Sequence, residues 1–122
     1  MKLHLTTAEN NNLITGYGED FIEINKRRYQ QVLIVLANQL ILNWNPASFD
    51  DLTAEHFAEI GELKPEVVLL GTGFTHRFLH PKIAKNLTEK GIPIECMTTA
   101  AACRTYNILM SEGRHVAAAL LI

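Results

Sequence analysis

Two glycines that flank a threonine, Gly71-Thr72-Gly73, follow a short apolar run and are the first residues here that suggest chemistry. Glycine lets backbone N–H groups approach an anion closely, and a threonine hydroxyl adds a further donor. Thr98 and Thr99 follow a second apolar run. If both runs are parallel strands, their carboxyl ends share the sheet edge where open α/β folds bind ligands. The spacing therefore predicts a small-anion or nucleotide site formed by these five residues.

Arg104 belongs to the same predicted site. It lies five or six residues into a helix expected to begin at Thr98 or Thr99, roughly 8–9 Å along the axis. Helical side chains lean toward the N-terminus, so we expect its guanidinium to reach back to the glycine loop. The next three residues are interpreted as structural or site-supporting, with Asn107 holding a neighbouring backbone group: Thr105, Tyr106 and Asn107.

A second interpretation makes the glycine pair only a turn, because strand-to-helix turns use glycine for its permitted backbone angles. The dinucleotide-binding fingerprint is incomplete, since His76 stands where its third glycine would be. Glu95 nevertheless falls near the position of a ribose-binding acid, about 20 residues beyond the loop. The P-loop pattern is missing from the sequence. We therefore predict no cofactor.

The remaining residue types with catalytic potential form no complete constellation. His76 and His80 have the spacing of two ligands on one helical face, but Pro81 puts them ahead of the helix, so we predict no metal site. Cys96 and Cys103 lack CxxC spacing and are interpreted as small buried hydrophobes, with a reactive thiol as the alternative. No catalytic residue is assigned. Nothing in the pattern requires an enzyme, and we interpret the chain as non-catalytic.

Length and composition limit the class of protein. The 122 residues, 48% of them hydrophobic, fit a single domain spanning residues 1–122. A net charge of −2 argues against nucleic acid as a partner. The longest apolar runs fall short of the roughly 18–20 residues of a membrane span. The first ten residues lack the apolar core of a signal peptide, so a cytoplasmic location is expected.

The elements of the first half read as strands and turns. Alternation over residues 21–25, after several turn residues, predicts a hairpin around Gly18. Two continuous apolar runs, residues 32–36 and 40–42, predict strands buried on both faces. The basic residues 26–28 are interpreted as a solvated turn, although a partner patch is the alternative. This half is predicted to form a β-meander.

The second half alternates helix and strand. The predicted order is a helix capped by residues 48–51 and stopped by Pro65, a strand at 67–70, a helix from Pro81 to Gly91, a strand at 92–96, a helix from Thr98 or Thr99 to Gly113, and an interior strand at 116–121. Such alternation builds parallel strand pairs covered by helices. The predicted fold is an α/β three-layer domain with a central mixed β-sheet, its C-terminal half a βαβαβ unit.

Four segments together resemble a known family. VLLGTG at 68–73, GIP at 91–93, MTTAAACRTYNIL at 97–109 and EGRHVAAALL at 112–121 are similar to the Mth938-like domain family of unknown function. That family includes bacterial and archaeal single-domain proteins and a mitochondrial assembly factor of respiratory complex I. The resemblance implies a three-layer α/β domain with no established catalytic activity. The residues that match the family pattern are Gly71, Thr72, Gly73, Met97, Thr98, Arg104, Thr105, Tyr106 and Asn107.

The function predicted from the resemblance is that of a non-catalytic module that binds protein partners in the assembly or maturation of a larger complex. The alternative, from the residues alone, is a protein that binds a small anion or nucleotide at Gly71-Thr72-Gly73 and Arg104, with or without a reaction. The two hypotheses differ in what they require of the glycine loop. A pocket that holds an ordered anion at the loop favours the ligand, whereas a flat apolar patch elsewhere favours the protein partner.

Overall fold

The computed structural model describes residues 11–122. Eight strands lie within this range: β1 Ile14–Tyr17, β2 Ile22–Ile24, β3 Arg27–Tyr29, β4 Leu33–Leu36, β5 Gln39–Ile41, β6 Val67–Gly71, β7 Ile94–Met97 and β8 Val116–Leu120. The α-helices of the same range are α1 Ala54–Gly61, α2 Lys85–Glu89 and α3 Thr99–Ser111, and a short 3-10 helix spans Phe49–Asp51. The prediction that the first ten residues carry no signal peptide lies outside the described residues.

The central sheet has five strands in the order β5-β4-β8-β6-β7. Strand β4 is antiparallel to β5 and β8, whereas β6 is parallel to β7 and β8. The sheet is therefore mixed, as predicted. Strand β8 occupies its middle and is buried along its whole length, which confirms that the last apolar run of the sequence is an interior strand.

Two hydrophobic clusters lie on opposite faces of this sheet because successive strand residues point to opposite sides. On one face Val116, Ala118 and Leu120 pack with α3 and the β1–β2 hairpin. On the other, Ala117 and Ala119 share a cluster with residues of α1 and α2 and with Trp44. The three-layer α/β arrangement is confirmed.

The predicted meander is divided between two sheets. Strands β1, β2 and β3 form an antiparallel sheet of their own, and the predicted hairpin around Gly18 joins the first two. Strand β3 was not predicted. Lys26 lies in a turn with a φ of 71°, but Arg27 and Arg28 belong to the strand. The Arg28 guanidinium lies 4.0 Å from the centroid of the Phe21 ring, so a basic side chain can cover an aromatic one here.

The prediction that both strands of the second hairpin are buried on two faces is right for β4 and wrong for β5. All four residues of β4 are buried, whereas in β5 Gln39 is exposed and the other two residues are half-buried. Strand β5 is at the edge of the sheet, where one side lacks a neighbouring strand. An apolar run indicates a strand, but it does not reveal the position of that strand in the sheet.

The helices follow their predicted positions with two exceptions. Helix α1 begins at Ala54 with Thr53 as its N-cap, because the acidic residues predicted to cap it form the 3-10 helix instead. Helix α2 begins at Lys85 rather than Pro81, since Ile83 N–H donates to the His80 carbonyl three residues earlier, the bond of a turn. Residues 72–84 therefore form a long loop.

The two helices that were predicted to end before a glycine do so by the same hydrogen-bond pattern. Gly91 and Gly113 have φ of 73° and 84°, in the left-handed region that glycine accepts without strain. In α3 the Gly113 and Arg114 N–H groups donate to the Met110 and Leu109 carbonyls, which closes the last turn.

None of the helices formed by residues 11–122 is long and apolar enough to cross a membrane.

Candidate functional site

The glycine loop lies at the carboxyl edge of the central sheet, beside the start of α3. In the parallel pair β6–β7, Gly71 is opposite Met97, and the next residue, Thr72, donates its N–H to the Met97 carbonyl at 2.8 Å. Two hydrogen bonds join Gly73 to Thr99. The structure thus brings together the predicted residues Gly71, Thr72, Gly73, Thr98 and Thr99.

Thr99 connects this loop to the end of β8. Its hydroxyl accepts a hydrogen bond from the Gly73 N–H at 2.8 Å and donates one to the Leu121 carbonyl, and its own N–H donates to the Gly73 carbonyl at 2.9 Å. The residue is only 7% exposed. The single donor of the hydroxyl is used inside the protein, so Thr99 cannot donate a hydrogen bond to an anion without losing the bond to Leu121.

Thr72 organises the following loop in the same way. Its buried hydroxyl donates to the Thr75 carbonyl at 2.7 Å and accepts from the Arg77 N–H at 3.1 Å. Thr98 is the N-cap of α3 and accepts from the Ala101 N–H at 3.2 Å. Together with Thr99, these side chains serve backbone groups of the loop and of the helix.

The two glycines are required for different reasons. A Cβ on Gly71 would lie 2.9 Å from both Cα and Oγ1 of Thr99, so the close packing of β6 against α3 depends on the missing side chain. Gly73 has a φ of 100°, and a Cβ there would meet no atom of residues 11–122 within 4 Å. Gly73 serves backbone conformation and Gly71 serves packing. Several of the donors predicted to cradle an anion, the Gly73 N–H and the Thr72 and Thr99 hydroxyls, are bonded within the protein.

Arg104 and Asn107 bind the β1 strand rather than the glycine loop. The Arg104 guanidinium donates to the Tyr17 hydroxyl at 2.8 Å. The Asn107 side chain accepts from the Ile14 N–H at 2.9 Å and donates to the Ile14 carbonyl at 2.7 Å. These side chains hold the N-terminal hairpin on α3.

Their neighbours on α3 are also engaged in packing. The buried Tyr106 hydroxyl donates to the Asn12 carbonyl at 2.8 Å, and burial raises the pKa of the phenol. Thr105 is half-buried. A phenol held in this way stays neutral at physiological pH, so Tyr106 contributes a structural hydrogen bond rather than a reactive oxygen.

The two thiols are poor nucleophiles in this environment. Cys103 is fully buried, as predicted, and desolvation raises the pKa of its thiol to about 12. Cys96 is half-buried rather than buried, and desolvation also raises its thiol pKa. Since the thiolate is the reacting form, the surroundings of neither cysteine activate its thiol. His76 and His80 lie in the loop 72–84, where the His80 Nδ1 accepts from the Lys82 N–H.

A largely apolar cleft of about 290 Å³ opens between the glycine loop and the β1–β2 turn, and we call it the first cleft. Its walls include Tyr17, Gly73, Phe74, Thr98, Leu121 and Ile122. The second cleft, of about 270 Å³, shares Gly73, Phe74, Leu121 and Ile122 with the first and also includes Phe49, Asp50 and Arg77. Phe74 therefore lines both hollows.

The most exposed large apolar side chains in residues 11–122 belong to the loop 72–84, which we call the aromatic loop. Phe74 is 88% exposed and Phe78 is 83% exposed, and the Phe78 ring lies 4.6 Å from that of His76. Sequence reasoning missed these residues. The signal was present as two phenylalanines four apart between the glycine loop and Pro81, a segment that lies outside the predicted helix.

Arg77 fixes the middle of the aromatic loop to the body of the domain. Its guanidinium pairs with Asp50 at 2.9 Å and lies 4.4 Å from the centroid of the Phe49 ring. With the Thr72 hydroxyl bonded to the Arg77 N–H, the loop is held at both its backbone and a side chain. The two phenylalanines are thus displayed on a supported loop.

A family profile described as "Protein of unknown function (DUF498/DUF598)" matches residues 14–121. The chain belongs to this family. The resemblance inferred from the sequence segments is confirmed, since a solved DUF498 relative from Bordetella pertussis, described as a Mth938-like domain, superposes with a TM-score of 0.81 at 31% identity. That superposition covers 95% of this chain and 87% of the relative.

Two further relatives show what else this chain is similar to. A crystal structure from Bordetella parapertussis has a TM-score of 0.86 and 38% identity, over 91% of this chain and 95% of the other. A mouse protein named NADH dehydrogenase [ubiquinone] 1 alpha subcomplex assembly factor 3 is 39% identical over 89 residues, 71% of this chain and 48% of that protein. This chain spans about half the length of the assembly factors it matches. The family resemblance thus extends to proteins named for assembly.

Proposed function

We propose that this domain is a non-catalytic protein-binding module that acts in the assembly or maturation of a larger complex. The observation that carries the proposal is the exposure of Phe74 and Phe78 on a supported loop. Exposed aromatic side chains that lie beside hollows are typical of the residues that dominate protein interfaces. A partner that covers them removes apolar surface from water.

The support of the loop adds to this argument. Ordering a flexible loop on binding costs free energy, whereas a loop already held in place avoids that cost. The Thr72 hydroxyl and the Arg77–Asp50 pair hold the aromatic loop before any partner arrives. The two exposed phenylalanines are therefore held in position before a partner binds.

The relatives named as assembly factors are consistent with such a role. Their names describe whole proteins of which this chain matches 48% and 59% of the length, so the role of this chain in assembly is part of the proposal. A cytoplasmic location is proposed with it. The anion-binding alternative is less favoured, because an anion at the glycine loop would have to replace hydrogen bonds already made by Thr72, Gly73 and Thr99.

Site-specific photocrosslinking in the source cells tests the proposal. The photoreactive amino acid p-benzoylphenylalanine is placed at position 74 or 78, and at Ile108 as the matched control. Ile108 is 57% exposed and lies about 13 Å along the α3 axis from its first residue. We expect a discrete adduct from positions 74 and 78 with a protein that migrates in a larger complex on native gels. An absence of adducts, or the same adducts from position 108, would contradict the proposal.

A further inference from the structure

The two sheets formed by residues 11–122 have four edge strands, β1, β3, β5 and β7. Unpaired backbone groups at such an edge can bond to another extended chain. In β1 the N–H and C=O groups of Ile14 are both bonded to the Asn107 side chain. In β5 the Asn12 side chain donates to the Gln39 carbonyl, and β3 carries two exposed arginines. Three of the four edges therefore have side chains that oppose pairing with a further strand.

Strand β7 differs, because two of its residues have unpaired outward backbone groups. The Pro93 and Met97 carbonyls accept hydrogen bonds from N–H groups of β6 and of the residue after it. Strand residues alternate in direction, so Ile94 and Cys96 direct their N–H and C=O groups away from β6. Those groups form no hydrogen bond with any other part of residues 11–122. The edge thus presents two donors and two acceptors, roughly 6.6 Å apart along the strand.

This arrangement selects an extended polypeptide as the occupant of the edge. Donor and acceptor pairs at the spacing of a strand match the backbone of another strand, which presents the same groups at the same interval. Proteins that bind a peptide in this way derive affinity from the backbone bonds and specificity from alternate side chains of the peptide. The chemistry of the edge therefore points to a protein segment.

The aromatic loop lies beside the same edge. Leu79 packs against the same hydrophobic cluster as Ile94 and Cys96. Desolvation raises the pKa of the Cys96 thiol, and the nearby Leu79 N–H opposes that rise. Phe78, the residue before Leu79, is 83% exposed. A segment that pairs with β7 can therefore place alternate side chains against the aromatic loop.

A second copy of the chain fits this edge less well than a different protein does. Strand β7 is only four residues long, so pairing between two copies of it buries less area than a stable dimer requires. Pairing centred on Glu95 would also set two exposed carboxylates directly opposite each other. A different protein can cover β7 and the aromatic loop together without this repulsion.

We propose that an extended segment of a protein partner pairs with the outer edge of β7 and becomes a sixth strand of the central sheet. This inference rests on the proposed function and specifies how the partner is bound. Backbone groups of the segment bond to Ile94 and Cys96. Alternate side chains of the segment lie against the aromatic loop, so one partner covers both features.

Amide hydrogen exchange measured by NMR on the full chain tests whether the edge is open. In the dilute protein we expect the Ile94 and Cys96 amides to exchange roughly a hundredfold faster than those of Glu95 and Met97, which face β6. Slow exchange of Ile94 and Cys96 at every protein concentration would show that another part of the chain covers the edge. Slow exchange only at high concentration would assign the edge to a second copy. Either result overturns the proposal.

The second measurement uses the adduct formed by p-benzoylphenylalanine at position 78. Cys96→Pro removes the outward N–H at a position where an edge strand tolerates proline, whereas Cys96→Ala removes the same side chain and keeps the N–H. We expect the proline variant to give roughly fivefold less adduct than the alanine variant. Thermal melts verify both folds. If proline at position 96 unfolds the domain, Ile94→Pro and Ile94→Ala form a second matched pair.

The outcomes separate this inference from the proposed function. Equal adduct yields from the proline and alanine variants overturn the sixth strand and leave the protein-binding function in place. If position 78 of the parent gives no adduct, the proposed function fails, and the sixth strand, which rests on it, fails too. Fast exchange at Ile94 and Cys96, together with an adduct that the proline variant weakens, supports both.

Discussion

Replacing Thr99 by valine tests whether the glycine loop is held by internal hydrogen bonds. Valine has nearly the same shape but lacks the hydroxyl that joins the Gly73 N–H to the Leu121 carbonyl. Each buried polar group left without a partner costs about 1–3 kcal/mol. Gly73 is only half-buried, so water can partly replace its lost bond. We expect Thr99→Val to lower the free energy of unfolding by about 2–4 kcal/mol.

The assay is urea unfolding followed by circular dichroism, with the parent and Thr99→Ser measured in parallel. Serine keeps the hydroxyl and removes one methyl group, which is expected to cost about 1 kcal/mol. Valine should therefore be the more destabilising of the two. For a domain of this size, each kcal/mol lowers the melting temperature by roughly 3–6 °C, so thermal melts give an independent check.

Two results would refute the reasoning. If Thr99→Val unfolds within about 0.5 kcal/mol of the parent, the hydroxyl has no structural role and its donor is open to a ligand. If Thr99→Ser is the less stable variant, side-chain volume rather than hydrogen bonding is what Thr99 provides. Either result would remove the hydrogen-bond argument against an anion at the glycine loop.

Four further predictions follow from the same contacts. Gly71→Ala should lower the free energy of unfolding by about 1–3 kcal/mol or more, because the new Cβ meets Thr99 Cα. Gly73→Ala should lower it by only about 1–2 kcal/mol, because the strain comes from its positive φ alone. Urea unfolding that finds Gly73→Ala the less stable variant would contradict this ranking. Asn107→Ala should lower the free energy of unfolding by about 2–4 kcal/mol, because both Ile14 backbone groups lose their hydrogen-bond partner. An unchanged urea midpoint would contradict this. Cys103 should react with iodoacetamide only as fast as the protein opens, and rapid labelling at neutral pH would contradict its burial. The free energy of unfolding should fall as pH rises from 9 toward 12, because the thiol of the unfolded chain ionises at lower pH than that of the folded protein. Phosphate at the ionic strength of a chloride control should leave the melting temperature unchanged, since the loop donors are occupied, and a phosphate-specific rise would argue for an anion site.

The elements that the sequence predicted well are those with strong local signals. The α3 helix has a threonine N-cap and a glycine just past its end, and its bounds agree closely with the predicted ones. The interior strands β6 and β8 are continuous apolar runs bounded by turn residues. In each case neighbouring residues along the chain contain enough information, because caps and apolar runs are local features.

The elements that were missed have two different causes. Strand β3 consists of two exposed arginines and a half-buried tyrosine, and it is a strand because β2 is beside it. Helix α2 is five residues long, since the turn at His80 occupies the segment where a proline suggested a first helical turn. Local propensity does not predict β3 because a neighbouring strand decides it, whereas α2 is shortened by a local turn that the proline did not reveal.

For the candidate site, the sequence by itself determined which residues share an edge of the sheet. Parallel strands put Gly71-Thr72-Gly73 beside Thr98 and Thr99, and that placement follows from the alternation of strands and helices. Only the tertiary structure decided what those residues do. Whether a donor is free depends on every acceptor within reach, and for Thr99 that acceptor is the carbonyl of Leu121, 22 residues away. The exposure of Phe74 is likewise decided by the tertiary structure, because a side chain is exposed only where no other part of the folded chain covers it.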